Sequence, residues 1–485
     1  MPSHSSISRR SFFGKSVLAL GALGAGPSWG YPVNDQVRVA VIGMGNRGGS
    51  ALEDVFRTQG VKLAAICDPD RERMGEHKAK IAEERGVEVD AEVDFRRLYD
   101  REDIDAVIVS SPNHWHALHT IMACQAGKDV YVEKPVCHNI WEGQRMIEAA
   151  GRYGRMVQSG LQGRSDIGLR KALPWIREGN LGPITCIRCL VYDHRAGIGK
   201  LDTPLIPPPF LDYNLWLGPA PDEPIYRPEL HYDWHWEWNT GNGDTGNQGV
   251  HELDLVRSVL GDPGHPQRVF SYGGRFAWDD GGNTPNMQNA VFEWGDGIPV
   301  LFELRDMWAT PEHKTASHFR GHRFGIVVEC EGGEFRGGRG GGSVYDHNGD
   351  RMKAFKGDGG FDHFPAFIRS VRSRKESDMA CSMKEGYLSS CLCHQANISM
   401  RVGHAASGAE VDRSIENNHR LVESHHRLVK HLSEWEVDFG KEPWVLGRVL
   451  EFSDDQETFK GEGSEEANRY LKRRYRKEFT VPGTV

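Results

Sequence analysis

The sequence predicts an α/β protein of two domains: an N-terminal doubly wound parallel sheet, then an α+β domain with a large open, mostly antiparallel sheet. From residue 37 to residue 157, short apolar runs alternate with helical segments, which is the pattern of a parallel sheet. After residue 184, strand-like runs are joined by long Gly- and Pro-rich loops, which favour antiparallel pairing. A chain of 485 residues also exceeds what one ordinary core accommodates.

The N-terminal elements alternate along the chain. Apolar runs predict strands at Val37–Ile42, Val61–Asp68, Ala106–Ser110 and Asp129–Glu133, a weaker one near Val87 and a last one near Met156 and Val157. Helical segments are expected at residues 49–58, 71–85 and 115–126, with a further one near Phe95. This domain is predicted to span residues 31–157.

The second domain is expected at residues 158–404. Its strand-like runs are 184–192, 269–273, 287–294, 299–305 and 325–330. Residues 203–237 are predicted to form a long loop rich in Pro, Trp and Tyr, and long loops within a compact domain are usually functional. Residues 405–485 are expected to form a helix, at 410–435, and an arm that packs across the body.

Composition excludes several classes of function. A net charge of −9 argues against nucleic acid as the main partner. The nine cysteines are scattered, and the CxxC formed by Cys186 and Cys189 has no second pair to complete a zinc site. Residues three apart on a strand also point to opposite faces. We therefore predict buried thiols and no metal.

A glycine-rich turn predicts a dinucleotide site. It follows a strand, opens a helix, and consists of Gly43, Met44, Gly45, Asn46, Arg47 and Gly48. Asp68 ends the next strand about twenty residues later, at the position where an acid accepts the ribose hydroxyls in Rossmann domains. Because a carboxylate repels a 2′-phosphate, NAD is favoured over NADP, a preference that Arg71 and Arg73 could soften.

Residues 1–30 are predicted to be a targeting segment. Arg9 and Arg10 lie in a twin-arginine sequence, and the apolar run at 16–26 is too short to span a membrane. The alternative is a disordered basic leader. The first interpretation predicts a periplasmic or secreted protein with no membrane span.

Further motifs resemble those of the Gfo/Idh/MocA family of oxidoreductases. They are the SSPNHWH run at 110–116, the Glu-Lys-Pro motif at 133–135, and the segments 158–165, 247–254 and 466–470. The resemblance extends over essentially the whole mature chain and is closest to the secreted, twin-arginine subgroup. It implies a Rossmann domain followed by an open sheet that forms the substrate floor and often an oligomer interface.

The resemblance also implies site residues. Lys134 and His251 correspond to the catalytic pair, while Asn247 stands where inositol dehydrogenase-like members carry Asp. Substrate binding is expected of Arg164, Trp234, Asn247 and His251. Cofactor binding is expected of the glycine turn with Asp68, and of Ser111, Pro112, Asn113, His116, Glu133, Lys134 and Gln162.

The chemistry of alcohol oxidation predicts a role for each residue of this pair. Transfer of a hydride from a secondary alcohol needs a base for the hydroxyl proton and a group that stabilises the developing charge. We predict that His251 accepts the proton and that Lys134 orients and polarises the oxygen. The alternatives are a surface lysine at a strand end and a histidine satisfied by the backbone.

The aromatic segment at 231–238 has two interpretations. Its Trp and Tyr rings suit the faces of a sugar, and packing of the loop explains them equally well. His231 and His235 have a spacing that suits a metal only on a helix, which this segment does not resemble.

The predicted function is an NAD(P)-dependent oxidoreductase acting on a secondary hydroxyl of a sugar or polyol. No soluble NAD pool is maintained outside the cytoplasm, so an exported enzyme is expected to retain its NAD and recycle it. The alternatives are a redox-neutral glycosidase or lyase acting through a transient keto sugar, and a non-catalytic sensor. Glycosidases of this fold usually lack the Glu-Lys-Pro lysine, which favours the oxidoreductase. A homo-oligomer formed through the C-terminal sheet is also expected.

Overall fold

The structure is a computed structural model that describes residues 36–295 and 297–485. The predicted twin-arginine segment lies outside these described residues. Within them, no helix combines the length and apolar character needed to cross a bilayer.

The N-terminal domain is a parallel six-stranded sheet in the order β3-β2-β1-β4-β5-β6. Its strands are β1 (Val37–Ile42), β2 (Val61–Cys67), β3 (Asp90–Glu92), β4 (Ala106–Val109), β5 (Asp129–Val132) and β6 (Val157–Ser159). Its helices are α1 (Asn46–Arg57), α2 (Arg71–Arg85), α3 (Arg96–Tyr99), α4 (His116–Gln125) and α5 (Ile140–Arg152). The predicted doubly wound sheet is confirmed, with the weak strand near Val87 displaced to β3.

Burial explains why the central strands consist of continuous apolar runs in the sequence. Every residue of β4 and β5 is buried, because helices cover both faces of the sheet. On one face α1 contributes Leu52 and Val55, and Phe364 and Phe367 from much later in the chain join the same cluster. The first domain is therefore completed by a C-terminal helix.

The second domain is built on one large sheet, which has twelve strands among the described residues. The main path runs β14-β13-β12-β11-β7-β10-β9-β8-β16-β15, with β17 on β8 and β18 on β17. Pairing is antiparallel except between β7 and β10. The strands are β7 (Ile184–Arg195), β8 (Arg268–Gly274), β9 (Met287–Glu293), β10 (Val300–Met307), β11 (Phe324–Cys330), β12 (Gly333–Gly338), β13 (Gly341–Tyr345), β14 (Arg351–Lys356), β15 (His404–Ala406), β16 (Trp444–Leu446), β17 (Leu450–Ser453) and β18 (Thr458–Lys460).

The remaining helices pack on the two faces of this sheet, on the first domain or on the loop at 203–237. They are α6 (Leu169–Arg177), α7 (Tyr213–Leu217), α8 (Gly243–Asn247), α9 (Gly249–Leu260), α10 (His363–Ser373), α11 (Met383–Arg401), α12 (Gly408–Ile415), α13 (His419–Ser433) and α14 (Ser464–Asn468). Cys186 and Cys189 belong to the clusters on opposite faces of the sheet. All nine cysteines are free and buried, as predicted.

Two expectations for the second domain are corrected. The single helix expected at 410–435 is divided into α12 and α13, because Asn418 accepts a hydrogen bond from Leu421 N and starts a new helix. The strands β12 and β13 were not predicted, since their glycines give no alternating pattern. Their glycines are required by packing: a Cβ on Gly342 would lie 2.4 Å from the Phe335 ring.

The long loop at 203–237 crosses from the second domain onto the first. Leu211 forms a β-bridge with Asp70, at the N-terminus of α2. His231 Nε2 lies 2.8 Å from the Asp70 carboxylate, and Asp212 N donates to Pro69 O at 2.9 Å. The loop thus lies over the carboxyl edge of the first sheet, the edge at which doubly wound folds bind ligands.

Candidate active site

A cleft of about 350 Å³ lies between the parallel sheet and the crossing loop. The first domain contributes the glycine turn, Asp68, the segment after β4, and Glu133 with Lys134 after β5. The second domain contributes Asn247 and the aromatic segment that includes Trp234. Nearly all of the predicted cofactor residues therefore converge on one cleft.

The glycine turn leaves room for a ligand where the sequence predicts the pyrophosphate. Gly43 has φ +92°, and a Cβ there would lie 2.7 Å from the Ser110 backbone. A Cβ on Gly48 would lie 1.9 Å from Gly43 O, so this glycine permits the helix to start against the turn. A Cβ on Gly45 would have one neighbouring group within 4 Å among the described residues, the Arg73 guanidinium at 3.6 Å. The turn thus offers an open cradle at the N-terminus of α1 beside a cation.

Asp68 is held in place for the ribose. One carboxylate oxygen accepts from Met44 N at 2.6 Å and the other from Asp70 N at 2.9 Å. Burial raises the pKa of Asp68, an effect that these two N–H donors oppose. Each carboxylate oxygen retains a lone pair for a further donor. Met44 itself is buried, so its contribution is its backbone.

The segment after β4 lines the next part of the cleft. The hydroxyls of Ser110 and Ser111 are buried and have no hydrogen-bond partner among the described residues. Asn113 Nδ2 donates to Asn242 Oδ1 at 3.0 Å, and the His116 ring lies 2.7 Å from both Ser111 O and Pro135 O. A dinucleotide fits these groups: the open glycine cradle, the Asp68 carboxylate that is predicted to bind the ribose, and the unpaired hydroxyls of Ser110 and Ser111.

Arg47 and Glu133 form a pair at the edge of the cleft. Arg47 Nε donates to Glu133 Oε1 at 2.6 Å, and the Glu133 side chain is only 5% exposed. Arg47 therefore neutralises a buried carboxylate beside Lys134.

Lys134 is anchored by the second domain. Its Nζ donates to Asn247 O at 2.8 Å and to Asn247 Oδ1 at 2.9 Å. Burial lowers the pKa of Lys134 to about 8, while the Glu133 and Asp244 carboxylates oppose that shift. An ammonium near its pKa at neutral pH is suited to proton transfer and to polarising an oxygen.

Behind Asn247 lies a buried carboxylate that the sequence reasoning missed. Asp244 Oδ1 accepts from Asn247 Nδ2 at 2.6 Å, and Asp244 Oδ2 accepts from Arg195 Nε at 2.9 Å. Burial and the Asp244 carboxylate raise the pKa of Asp306 well above its usual value. Arg195 holds the pKa of Asp244 down against the effect of burial.

The same carboxylates form an acidic cluster with Asp193. One oxygen from each of Asp193, Asp244 and Asp306 lies within 4.8 Å of the others. Arg195 makes ion pairs with both Asp193 and Asp244, so the chain itself supplies a cation to the cluster. The geometry therefore gives no reason to add a metal, and the absence of one stays a prediction.

His251 lies on α9, near enough to Lys134 to be affected by its charge, but it is not among the residues that line the cleft. Burial and the positive charge of Lys134 lower the pKa of His251 well below its usual value, so its ring is neutral at pH 7. A neutral imidazole near the ammonium of Lys134 matches the predicted division of roles. Those roles stay predictions.

The aromatic segment presents Tyr232, Trp234 and His235 to the cleft. Trp234 and His235 stack with ring centroids 3.6 Å apart, whereas Trp236 is buried. Because His231 is occupied by Asp70 and the His235 ring contacts Tyr232 O, the pair does not form a metal site. The segment serves both packing and the cleft.

Two further predicted site residues do not line the cleft, and their assignments stay predictions. The Arg164 guanidinium contacts three carboxylates, Asp254 at 2.8 Å, Asp262 at 2.8 Å and Glu385 at 3.6 Å. Gln162 donates to the buried Tyr131 hydroxyl at 3.1 Å and does not line the cleft.

Fold and site together define an NAD-binding Rossmann domain with a second domain that completes the cleft, the architecture of an oxidoreductase. A model described as "Oxidoreductase family, NAD-binding Rossmann fold" matches residues 37–161, and one described as "GFO/IDH/MocA C-terminal domain" matches residues 222–336. Each of the two domains thus matches a model of the Gfo/Idh/MocA family.

Curated relatives carry glycosidase names. An alpha-N-acetylgalactosaminidase of Shewanella oneidensis is 33% identical over 187 residues, which are 37% of this chain and 38% of that protein. A glycosyl hydrolase family 109 protein of Shewanella baltica is 32% identical over 187 residues, with the same two coverages. The match thus spans well under half the length of these relatives.

Solved structures share the fold. The WlbA dehydrogenase from Bordetella pertussis, in complex with NADH and UDP-GlcNAcA, is 16% identical with a TM-score of 0.55, over 74% of this chain and 96% of that one. An aldose-aldose oxidoreductase from Caulobacter crescentus, complexed with glycerol, is 17% identical with a TM-score of 0.54, over 75% and 97%.

Proposed function

We propose that this protein oxidises a secondary hydroxyl of a sugar or polyol with NAD bound in the cleft. The observation that carries the proposal is Lys134: a buried ammonium with a pKa of about 8, fixed to Asn247 in the same cleft as the glycine turn. A non-catalytic sensor has no need of such a group in its cleft.

The protein's own groups divide the remaining work. NAD, when bound, supplies the hydride acceptor. Below pH 8 the charged Lys134 Nζ holds and polarises the substrate oxygen as negative charge develops on it. The neutral His251 ring accepts the hydroxyl proton, and Trp234 presents a ring face to the sugar. Asn247 keeps Lys134 in place through two hydrogen bonds.

We further infer that the cofactor stays bound between turnovers, as an exported, periplasmic enzyme requires. The crossing loop supports this inference, because it is joined to Asp70 by both the Leu211 bridge and His231. A hydride taken from one sugar is then returned to a second substrate. Assembly of a homo-oligomer through the large sheet belongs to the same proposal.

The proposed chemistry is tested by reduction of the bound cofactor. Purified protein is mixed with mono- and disaccharides while the fluorescence of reduced dinucleotide is followed. A substrate is expected to reduce the cofactor bound to the wild-type protein. In Lys134→Met the same reduction is expected to be about a hundred- to ten-thousand-fold slower. The matched control is Lys128→Met, which removes a buried lysine that bonds Arg101 O and Ile104 O away from the cleft. Equal rates in wild type and Lys134→Met would refute the assignment.

A second candidate is a redox-neutral glycosidase, which the names of the curated relatives favour. It begins with the same oxidation, loses the proton beside the new carbonyl together with the aglycone, adds water across the resulting double bond, and then returns the hydride to the carbonyl carbon. Aryl glycosides in deuterated water separate the two functions. Aglycone release with deuterium entering the ring and no lasting reduced dinucleotide indicates the glycosidase. Oxidised sugar with the glycosidic bond intact indicates the oxidoreductase.

A further inference from the structure

A second polar cavity lies behind the cleft wall, between the end of α11 and the C-terminal arm. It measures about 360 Å³, and an adjoining cavity of about 470 Å³ shares Trp238, Asn283, Arg401 and Tyr470 with it. Asn242 belongs to the wall, because its Oδ1 accepts from Asn113 of the cleft while Asn242 itself lines the second cavity. We call this space the basic cavity.

The basic cavity is positively charged in an acidic protein. Arg401, Lys472 and Arg473 line it against one carboxylate, that of Glu223, although the whole chain has a net charge of −9. None of these three cations makes an ion pair among the described residues. Most arginines of the chain lie within reach of a carboxylate, so this concentration of unpaired cations is a distinct feature.

The hydrogen bonds and ring contacts of the two arginines are to neutral groups, while the Glu142 and Glu223 carboxylates act on Arg473 without forming an ion pair with it. Arg473 Nη2 donates to Asn239 O at 2.8 Å and to Asn239 Oδ1 at 2.9 Å. Arg401 lies between rings, 4.2 Å from the Tyr470 centroid and 4.9 Å from that of Trp238. Burial lowers the pKa of both guanidinium groups, as expected of desolvated cations without sufficient counter-charge.

Buried polar atoms without partners line the same space. They are Asn139 Nδ2, His138 Nε2, Asn397 Oδ1 and Arg473 Nε, none of which has a hydrogen-bond partner among the described residues. Asn139 and Asn397 are 6% and 3% exposed. Leaving such groups unpaired is costly, so a ligand whose hydroxyls reached these atoms in the cavity wall would satisfy them. Amide and imidazole groups suit the hydroxyls of a sugar.

We propose that the basic cavity binds an anionic sugar, with Arg401 and Arg473 facing its carboxylate or sulfate and the unpaired amides facing its hydroxyls. Guanidinium groups match such anions in shape and charge. This site is separate from the cleft and does not depend on the proposed oxidation. It gives the protein a preference for acidic over neutral glycans.

Binding is measured by calorimetry on the holoprotein with glucuronate, glucose 6-sulfate, glucose and inorganic sulfate. The two anionic sugars are expected to bind more tightly than glucose, and the stronger of them identifies the anion. Arg473→Gln is expected to weaken that binding at least about tenfold, while Arg96→Gln, at an exposed ion pair with Asp94, leaves it unchanged. Lys134→Met is also expected to retain it, which separates this site from the cleft.

Lys472→Glu provides a second test that does not rely on a buried residue. Lys472 is exposed, so the variant is expected to fold and to lose anionic-sugar binding, whereas Lys477→Glu on the same arm retains it. The proposal is overturned if neither anionic sugar binds, if glucose or inorganic sulfate binds equally well, or if binding survives both Arg473→Gln and Lys472→Glu.

Discussion

At the scale of residues, the central feature is the sequence of contacts from Arg195 through Asp244 and Asn247 to Lys134. Asn247 is neutral, and the resemblance places it where inositol dehydrogenase-like members carry Asp. The structure places the Asp244 carboxylate 2.6 Å behind the Asn247 amide. The negative charge is therefore present, one side chain further from the reacting groups.

Asp244→Asn tests this role of Asp244 through the pH dependence of kcat/KM. The carboxylate raises the pKa of Lys134, so its removal destabilises the charged ammonium and lowers that pKa below about 8. If charged Lys134 is the active form, the alkaline limb of the kcat/KM profile moves to lower pH. Each pH unit of this displacement lowers kcat/KM on the alkaline side about tenfold.

Asp193→Asn is the matched control for this experiment. It removes a carboxylate from the same cluster, and Asp193 is not one of the groups that shift the pKa of Lys134. Its alkaline limb is expected to stay in place. The proposed effect of Asp244 on the pKa of Lys134 is contradicted if the alkaline limb also stays in place in Asp244→Asn, or if it moves equally in both variants.

At the scale of elements, the crossing loop determines how the cofactor is enclosed. His231 joins the loop to Asp70, whose other carboxylate oxygen caps α2 by accepting from Glu72 N and Arg73 N. His231→Ala removes the contact and preserves the cap. Loss of a hydrogen bond to a charged group costs about 1.5 kcal/mol, which predicts dinucleotide release about tenfold faster.

Release from His231→Ala is followed as loss of cofactor fluorescence after dilution into a scavenging dehydrogenase. His313→Ala removes an exposed histidine outside the loop and is expected to release its cofactor at the wild-type rate. Release from His231→Ala at the wild-type rate shows that this contact does not retain the cofactor.

The elements that could be predicted from the sequence are those with a local signature in it. Strands of the first domain and the Gly43–Gly48 turn have local signatures, namely apolar runs and glycines fixed by backbone conformation. The Gly-rich strands β12 and β13 lack such a signature, because cross-strand rings such as Phe335 define their packing. Likewise Arg164 was assigned to substrate from its position in a motif, whereas its three carboxylate partners are distant in sequence.

Asp244 and His231 illustrate the same limit within the site. Asp244 lies only three residues before Asn247, a spacing that could have drawn attention to it on a helical segment. Its partners Arg195 and Asp306, however, come from two strands that only the folded sheet brings together. The contact of His231 with Asp70 spans 161 residues and has no signal in the sequence.

At the scale of the whole molecule, the two domains are completed by one another. The second domain supplies Asn247 to Lys134, the crossing loop to Asp70, and α10 to the core of the first domain. A cofactor between them is enclosed by both. This enclosure is what makes internal recycling of the dinucleotide physically reasonable for a protein proposed to work outside the cytoplasm.

The central claim is tested most directly by a single turnover of dialysed protein with no added cofactor. A sugar substrate is predicted to produce reduced dinucleotide up to about one equivalent per chain, and a keto sugar is predicted to reverse the signal. Acid extraction of the same sample is predicted to recover that equivalent as NAD. Protein that contains no extractable dinucleotide, and that reacts only when free NAD is supplied, would contradict the account.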